Sequence, residues 1–298
     1  MKRAVSVSLG SSERDKQVEI ELLGEKVSIE RKGTDGDIDK AIALFTDLDG
    51  KVDAFGVGGI DLWVQMGEKR YPLHDAQKLV KHVRETPYVD GSGLKNTLEG
   101  HIVESLVKEI GPQYAQGKAF NTMGVDRYGM TLNFYNHGYD MVCGDLMFGL
   151  GVPIPIKSLK QLHFVATLML PIATRLPLKM VYPTGDKQNE IVPKFTKYYQ
   201  WADVIIGDCH YIKRHMPDDL EGSVVATNTT TPKDLDMFRE RGVTHVVTTT
   251  PRLDGRSFGT NMIEAALTAV AGKHRPLTHA EIDEMLVQLD MKPSVHAL

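Results

Sequence analysis

The side chains best suited to chemistry in this sequence cluster where apolar runs end in glycine, threonine and arginine. Thr248-Thr249-Thr250-Pro251-Arg252-Leu253-Asp254-Gly255-Arg256-Ser257-Phe258-Gly259-Thr260-Asn261 follows one such run and opens a helical pattern. Glycines let a backbone approach a ligand closely, hydroxyls donate hydrogen bonds, and a helix start presents N–H groups with partial positive charge. Arg252 and Arg256 add guanidinium forks suited to phosphate or carboxylate. Thr249, Thr250, Gly255, Arg256, Ser257, Phe258, Gly259, Thr260 and Asn261 are therefore expected to bind a nucleotide cofactor, and Arg252 a substrate anion. The alternative is plain helix capping by Thr and Asn, with Arg256 as a surface charge.

Three further loops have related composition. Asp90-Gly91-Ser92-Gly93-Leu94-Lys95-Asn96-Thr97 precedes an amphipathic helix, but its spacing is not that of a Walker loop. Asp90, Ser92 and Asn96 are expected to bind substrate, with Lys95 as a proton carrier, against the alternative of a simple N-terminal cap. Residues 124–129 lie between a strand pattern and a helix pattern, and Asp145 falls where the ribose partner of a dinucleotide-binding loop belongs. Gly124, Asp126, Arg127, Gly129 and Asp145 are accordingly expected at a cofactor, although Asp126 and Arg127 break the glycine spacing. Gly207-Asp208-Cys209-His210 sets an imidazole beside a carboxylate, so Asp208 and His210 are candidate catalytic residues. Asn228, Thr229 and Lys187, at two other strand ends, complete the expected substrate contacts. The glycines of Phe55-Gly56-Val57-Gly58-Gly59 fit a tight turn better than a dinucleotide loop, because the segment after them reads as extended. Cys209, His210 and His215 match no common zinc spacing, so no metal is expected, and no Gly-x-Ser-x-Gly elbow supports a serine hydrolase.

The elements that must carry these loops read as α/β. Strand patterns at 3–9, 52–57, 88–89, 118–123 and 140–143 alternate with helical ones, and a hairpin at 18–31 turns at Gly24-Glu25. Beyond it, strands at 179–182, 204–206, 224–226 and 245–247 alternate with helices at 191–201, 211–215, 233–241 and 261–270. Continuous apolar strands between helices indicate a parallel sheet covered on both faces. Two Rossmann-like lobes with mainly parallel sheets are expected, at 1–155 and 156–298. The apolar segment 163–176, interrupted by Pro171, is too short to span a bilayer and reads as a buried helix.

Composition narrows the partners. Hydrophobic residues make up 42% and charged residues 25%, as in a folded globular protein, and the formal charge of −4 gives no bulk attraction to nucleic acid or a membrane. The start, Met1-Lys2-Arg3, leads into alternating Val and Ser instead of a signal peptide, and two cysteines build no disulfide framework. The expectation is a cytoplasmic protein that takes a small anionic metabolite, with a homodimer an ordinary possibility.

Tyr182-Pro183-Thr184-Gly185-Asp186-Lys187-Gln188, Ala202-Asp203-Val204-Ile205-Ile206-Gly207-Asp208, Thr227-Asn228-Thr229-Thr230-Thr231-Pro232 and Gly255-Arg256-Ser257-Phe258-Gly259-Thr260-Asn261 resemble a bacterial family labelled quinate 5-dehydrogenase. The likeness extends to Ser6-Val7-Ser8-Leu9-Gly10-Ser11 and to residues 90–97, nearly the whole chain. It implies oxidation of quinate, a polyhydroxylated ring carboxylate, with NAD or NADP as cofactor. The known quinate and shikimate dehydrogenases carry an Asn-x-Thr-x-Pro-x-Lys motif in the first lobe and a glycine fingerprint in the second. Here Asn228-Thr229-Thr230-Thr231-Pro232-Lys233 and Gly56-Val57-Gly58-Gly59 echo the two in reversed order, so no catalytic role carries over. A transferase or lyase acting on a phosphorylated or nucleotide-activated metabolite, and a non-catalytic sensor of small anions, are the alternative readings.

Overall fold

The computed structural model describes residues 1–67, 69–176, 191–250, 252–253 and 256–298, with the backbone alone at 252, 253, 256 and 257. It forms two compact α/β units that are discontinuous in sequence. The first comprises Met1–Val64, Arg70–Thr97 and Pro251–Met291, and the second Gln65–Lys69, Leu98–Thr250 and Lys292–Leu298. A boundary at 155 therefore falls inside the second unit, and the segment after Thr250 belongs to the first. No helix among the described residues is long and apolar enough to cross a membrane.

The first unit is built on β1 (Lys2–Ser8), β2 (Lys16–Leu22), β3 (Glu25–Gly33), β4 (Ala54–Gly58) and β7 (Tyr88–Val89), in the order β2-β3-β1-β4-β7. Strand β1 runs parallel to β3 and β4, β4 runs parallel to β7, and only β2 is antiparallel. The β2–β3 hairpin turns on Leu23 and Gly24, one residue before the expected site, because both adopt positive φ (52° and 83°). That is the backbone a tight hairpin turn favours. Helix α1 (Ile38–Leu48) is capped by Asp37, whose side chain accepts the Lys40 amide. Strands β5 (Trp63–Met66) and β6 (Lys69–Pro72) form a separate two-stranded sheet, α2 (His74–Gln77) follows, and α3 (Ser92–Glu99) begins after β7.

The second unit contains α4 (Ile102–Glu109), β8 (Lys118–Asn121), α5 (Tyr128–Asn136), β9 (Asp140–Cys143), α6 (Asp145–Leu150), α7 (Leu159–Ala173), α8 (Thr196–Trp201), β10 (Val204–Ile206), α9 (Cys209–His215), β11 (Val224–Thr227), α10 (Pro232–Glu240) and β12 (His245–Thr248). Its sheet runs β15-β12-β11-β10-β8-β9, where β15 (Ser294–Ala297) is antiparallel to β12 and the other five strands are parallel. Phe120, Tyr199, Ile205, Ile212, Val225, Phe238 and Val246 belong to its core, with Phe120 edge-on to Tyr199 at 5.0 Å. The expected helix at 191–201 shortens to α8, because Pro193 lacks an N–H and Phe195 sits in the left-handed region (φ 52°). The expected strand at 179–182 lies outside the described residues. Helix α7 runs through Pro171 and is buried on one side only: Leu162, Ala166 and Leu170 are buried, whereas Phe164, Leu168 and Ile172 are exposed.

Two short strands, β13 (Arg252–Leu253) and β14 (Arg256–Ser257), precede α11 (Thr260–Ala271), which packs on β1, β3 and β4. Every residue from Met262 to Ala269 is buried, so α11 is a core helix without a polar face and needs a sheet to cover it. Its first turn lies so close to β4 that a Cβ at Gly56 would stand 2.7 Å from the Asn261 carbonyl oxygen. The glycines of 56–59 therefore serve helix–sheet contact as well as the turn at Gly59 (φ 78°). After α12 (His279–Gln288) the chain ends as β15 on the second sheet. Gly56→Ala is expected to cost about 1–3 kcal/mol, whereas Gly149→Ala, which meets nothing within 4 Å, is expected to stay within about 0.5 kcal/mol of the parent. Urea unfolding of both variants checks this.

Candidate functional site

In the second sheet the chain runs from β8 to its neighbour β9, then crosses to the opposite side of β8 for β10, β11 and β12. Strand order reverses between β8 and β10, and ligands of open parallel sheets bind beyond the carboxyl ends of strands at such a point. Beyond β8 the chain continues through Thr122 and Met123 into the loop carrying Gly124, Val125, Asp126 and Arg127; beyond β10 it continues through Gly207 to Asp208.

Arg127 and Asp208 meet across this junction. The buried Arg127 guanidinium donates to Asp208 Oδ2 at 2.6 Å and to Glu99 Oε1 at 3.1 Å, while its Nε lies 3.1 Å from Asp126 Oδ2. Burial works against its charge, but Asp126, Asp208 and Glu99 outweigh burial and keep the guanidinium protonated. Burial alone would raise the Asp208 carboxyl; Arg127 and the His210 amide outweigh it and hold Asp208 below the ordinary carboxylate range. Asp208 Oδ2 also accepts from Asn228 Nδ2 at 2.8 Å, and Asp208 Oδ1 accepts the His210 amide at 2.9 Å. Asn228 Oδ1 in turn accepts from the Cys209 amide (3.2 Å) and from Thr227 Oγ1 (3.1 Å), which fixes its orientation. Thr250 Oγ1 donates to the Asn228 carbonyl at 2.8 Å and shares a hydrogen bond with Thr229 Oγ1. One network thus joins the carboxyl ends of β8, β10, β11 and β12, with the His210 and Thr229 side chains exposed at its rim.

The loop expected to cradle a pyrophosphate is filled from within. The Gly124 and Val125 amides both donate to Asp145 at 2.9 Å, and the Met130 amide, in the first turn of α5, donates to Glu99 Oε2 at 3.3 Å. Burial pushes the Asp145 carboxyl up to about 6 against the pull of those two amides. Asp145 therefore caps its own loop instead of standing ready for a ribose. Gly124 is dictated by packing, since a Cβ there would lie 2.8 Å from Cys143 Sγ. Gly129 is buried in α5. With these amides and the Arg127 guanidinium already engaged, the residues at 124–129 do not fit a dinucleotide.

The loop at 249–261 is divided between the units. Thr249 and Thr250 close β12 in the second, while Phe258, Gly259, Thr260 and Asn261 lie in the first. Gly255 falls outside the described residues, as does Lys187, and the side chains of Arg252, Arg256 and Ser257 are not described. Phe258 is buried with Lys16 Nζ 4.3 Å from its ring centre, and Gly259 caps α11 without a side-chain hydrogen bond. Asn261 Nδ2 donates to Ser6 Oγ at 2.6 Å, and a Cβ on Gly91 would come within 2.6 Å of the Asn261 amide nitrogen. This helix start is thus seated against the backbone of its own unit.

At the third loop, Asp90 accepts from the Leu62 amide (2.6 Å), the Ser92 amide (3.0 Å) and Ser92 Oγ (2.6 Å). The Lys95 amide donates to the Gly91 carbonyl within α3, and the Lys95 and Asn96 side chains are half-buried. What the sequence reading missed is Glu264, fully buried on α11, whose Oε2 accepts the Leu94 amide at 3.1 Å. Burial, reinforced by Asp90, pushes its carboxyl up to about 8. Its signal was a lone charge within the apolar run Met262-Ile263-Glu264-Ala265-Ala266-Leu267. Glu99, also missed, carries no such signal. Among the described residues no three His, Cys, Asp or Glu side chains are placed to share a metal ion.

Residues 93–298 match the family described as Domain of unknown function (DUF8754). The chain belongs to the DUF8754 family. Residues 3–90 of this DUF8754 member match a second description, Domain of unknown function (DUF8753). No curated protein matches it. Among solved structures it is similar to an NAD-dependent malic enzyme from Thermotoga maritima (12% identity, 96% of this chain and 84% of that one, TM-score 0.40). It is also similar to a XylFII molecule (12% identity, 99% of this chain and 98% of that one, TM-score 0.35). A third is a periplasmic solute-binding protein of an ABC transporter from Actinobacillus succinogenes with bound D-allose (11% identity, 98% and 95%, TM-score 0.34). Likeness at this level decides nothing about what a DUF8754 chain binds.

Two outcomes follow from the geometry. Arg127→Leu leaves the fully buried Glu99 and the largely buried Asp208 without their cation, and is expected to cost about 3–5 kcal/mol. Asp126→Asn, at a side chain 38% exposed, is expected to cost under about 1 kcal/mol; urea midpoints distinguish the two. Because the fold accommodates Glu264 as the neutral acid, its contribution to stability is complete below pH 4.5 and is lost as the pH rises through about 8. Glu264→Gln is expected to flatten that decline, read from urea midpoints between pH 5 and 9.

Proposed function

We propose that this DUF8754 member is an enzyme acting on a small polyhydroxylated metabolite at the β8/β10 junction of its second sheet. The carrying observation is the Arg127–Asp208–Asn228 constellation, held in one geometry at the carboxyl ends of three strands. Asp208 is an ionised acceptor with a depressed pKa, suited to anchoring a substrate hydroxyl and poorly suited to taking its proton. His210, exposed in the first turn of α9, supplies the imidazole that takes and returns the proton. Asn228 and the hydroxyls of Thr229 and Thr250 complete a rim of donors and acceptors that fits neighbouring hydroxyls.

Electrostatics orders the alternatives. Among the described ion pairs Glu99, Asp126 and Asp208 all share the Arg127 guanidinium, so its charge is already outweighed and does little to attract a nucleotide or sugar phosphate. The resemblance to the quinate 5-dehydrogenase-labelled family implies a ring carboxylate rich in hydroxyls; its hydroxyls suit this rim, while its carboxylate, like a phosphate, would have to lie away from Asp126 and Asp208. It also implies NAD or NADP; the loop at 124–129 does not fit that group, so no hydride step is derived, and proton transfer of the lyase type is the chemistry the residues support best. The dehydrogenase reading rests on the resemblance.

A thermal-shift screen against quinate, other hydroxylated carboxylates, NAD, NADP and inorganic phosphate tests the proposal. A ligand at 100 times its Kd adds about 2.7 kcal/mol, a visible displacement of the melting point. The expected outcome is a shift with a hydroxylated carboxylate that Asn228→Ala abolishes. His210→Gln is expected to retain the shift and to lower kcat by about 10²–10⁴. A shift with NAD or NADP and none with hydroxylated carboxylates alone would sink the lyase reading in favour of the dehydrogenase.

A further inference from the structure

Helix α7 has two apolar stripes. Leu162, Ala166 and Leu170 are buried, as the core-facing side of an amphipathic helix should be. On another side, Phe164, Leu168 and Ile172 are 67%, 56% and 64% exposed, and Leu176 just beyond the helix is 40% exposed. Four large apolar side chains at a spacing of four residues form a continuous ridge where a solvated helix carries charge. The segment leading into α7 adds exposed Leu150, Val152 and Ile154.

The charges along this stretch of sequence are of one sign. From Leu146 to Gly185 the sequence has no Asp or Glu in 40 residues, in a chain that carries 39 acidic residues among 298. Random placement would put about five there, so the absence is a local property that the net charge of −4 conceals. Lys157, Lys160 and Arg175 are exposed, and among the described residues none of them is in an ion pair. The other outward side chains, Gln161, His163 and Thr167, are polar without negative charge.

We propose that α7 docks on an anionic lipid surface, with Phe164, Leu168 and Ile172 entering the headgroup–acyl boundary and Lys157, Lys160 and Arg175 meeting lipid charge. An exposed apolar ridge flanked by cations is the pattern of helices that lie in the membrane plane. A second copy of the chain matches it less well. Antiparallel pairing of two α7 helices sets Lys160 near Arg175, and parallel pairing sets Lys160 near Lys160; neither brings a carboxylate to the cations. The proposal is independent of the reading given for the β8/β10 junction.

Co-sedimentation of the full chain with phosphatidylcholine vesicles, with and without phosphatidylserine, tests it. The expected result is sedimentation with phosphatidylserine vesicles that weakens steeply in high salt. Leu168→Glu and Phe164→Glu are expected to reduce it at least tenfold, and Lys160→Gln about fivefold. Both apolar positions are exposed, and an unchanged melting temperature verifies that each variant folds; if one does not, the salt and lipid dependence of the parent chain decides alone. No sedimentation with either vesicle, equal sedimentation with both, or a parent dimer that Leu168→Glu converts to a monomer would overturn the proposal. The last result would assign the ridge to self-association.

Discussion

The second unit depends on one buried guanidinium. Arg127 is drawn out of water, where a lone charge would be prohibitive, and Asp208, Glu99 and Asp126 supply the compensation. Because each partner comes from a different segment, satisfying this one side chain fixes the loop after β8, the end of β10 and the end of α3 together. Asn228 and Thr250 extend the constraint along the sheet through bonds of 2.8 Å each. The strand ends are thus tied to one another through protein groups, which favours holding a small molecule in one pose. The same burial makes the network intolerant of losing its cation.

A second constraint recurs in both units: helix starts that face the interior are capped by buried carboxyl groups from elsewhere in the chain. Asp145 and Glu99 occupy the amides around the start of α5, and Glu264 occupies the Leu94 amide at the start of α3. A buried N–H without a partner is costly, so the fold either leaves such amides to a ligand or fills them itself. This protein fills them. The elevated pKa values of Asp145 and Glu264 are the electrostatic counterpart, since each carboxyl gains amide bonds but loses far more hydration.

That choice explains what the sequence could and could not reveal. The parallel strands β10, β11 and β12 were legible as apolar runs between helical patterns. The reciprocal Thr278–Glu281 capping box is of the same local kind, its two partners three residues apart. The glycine loop at 124–129 was legible as an anion cradle because its donors are local. Its acceptors are not: Glu99 lies 31 residues before the amide it takes, and Glu264 lies 170 residues from Leu94. Local spacing shows which groups are able to donate and stays silent about which acceptors tertiary packing delivers. The same limit hid the return of α11 to the first sheet, since a buried helix carries no mark of which sheet covers it.

The pairing of donors with internal acceptors also orders the likelihood of ligand classes, and it does so by subtraction. With the loop amides and Arg127 engaged, the described polar groups at the β8/β10 junction include the exposed His210 imidazole, the Thr229 and Thr250 hydroxyls and the carboxylates of Asp126 and Asp208. Such groups match hydroxyls, which both donate and accept, far better than phosphate oxygens, which only accept. A phosphate would have to displace Asp145 from amide bonds of 2.9 Å or Asp208 from a guanidinium bond of 2.6 Å, leaving the one without those amides or the other without its cation. A polyol asks for no such exchange. The distinction lies in the acceptors the fold has placed there, and it does not depend on which reaction is proposed for the His210 imidazole.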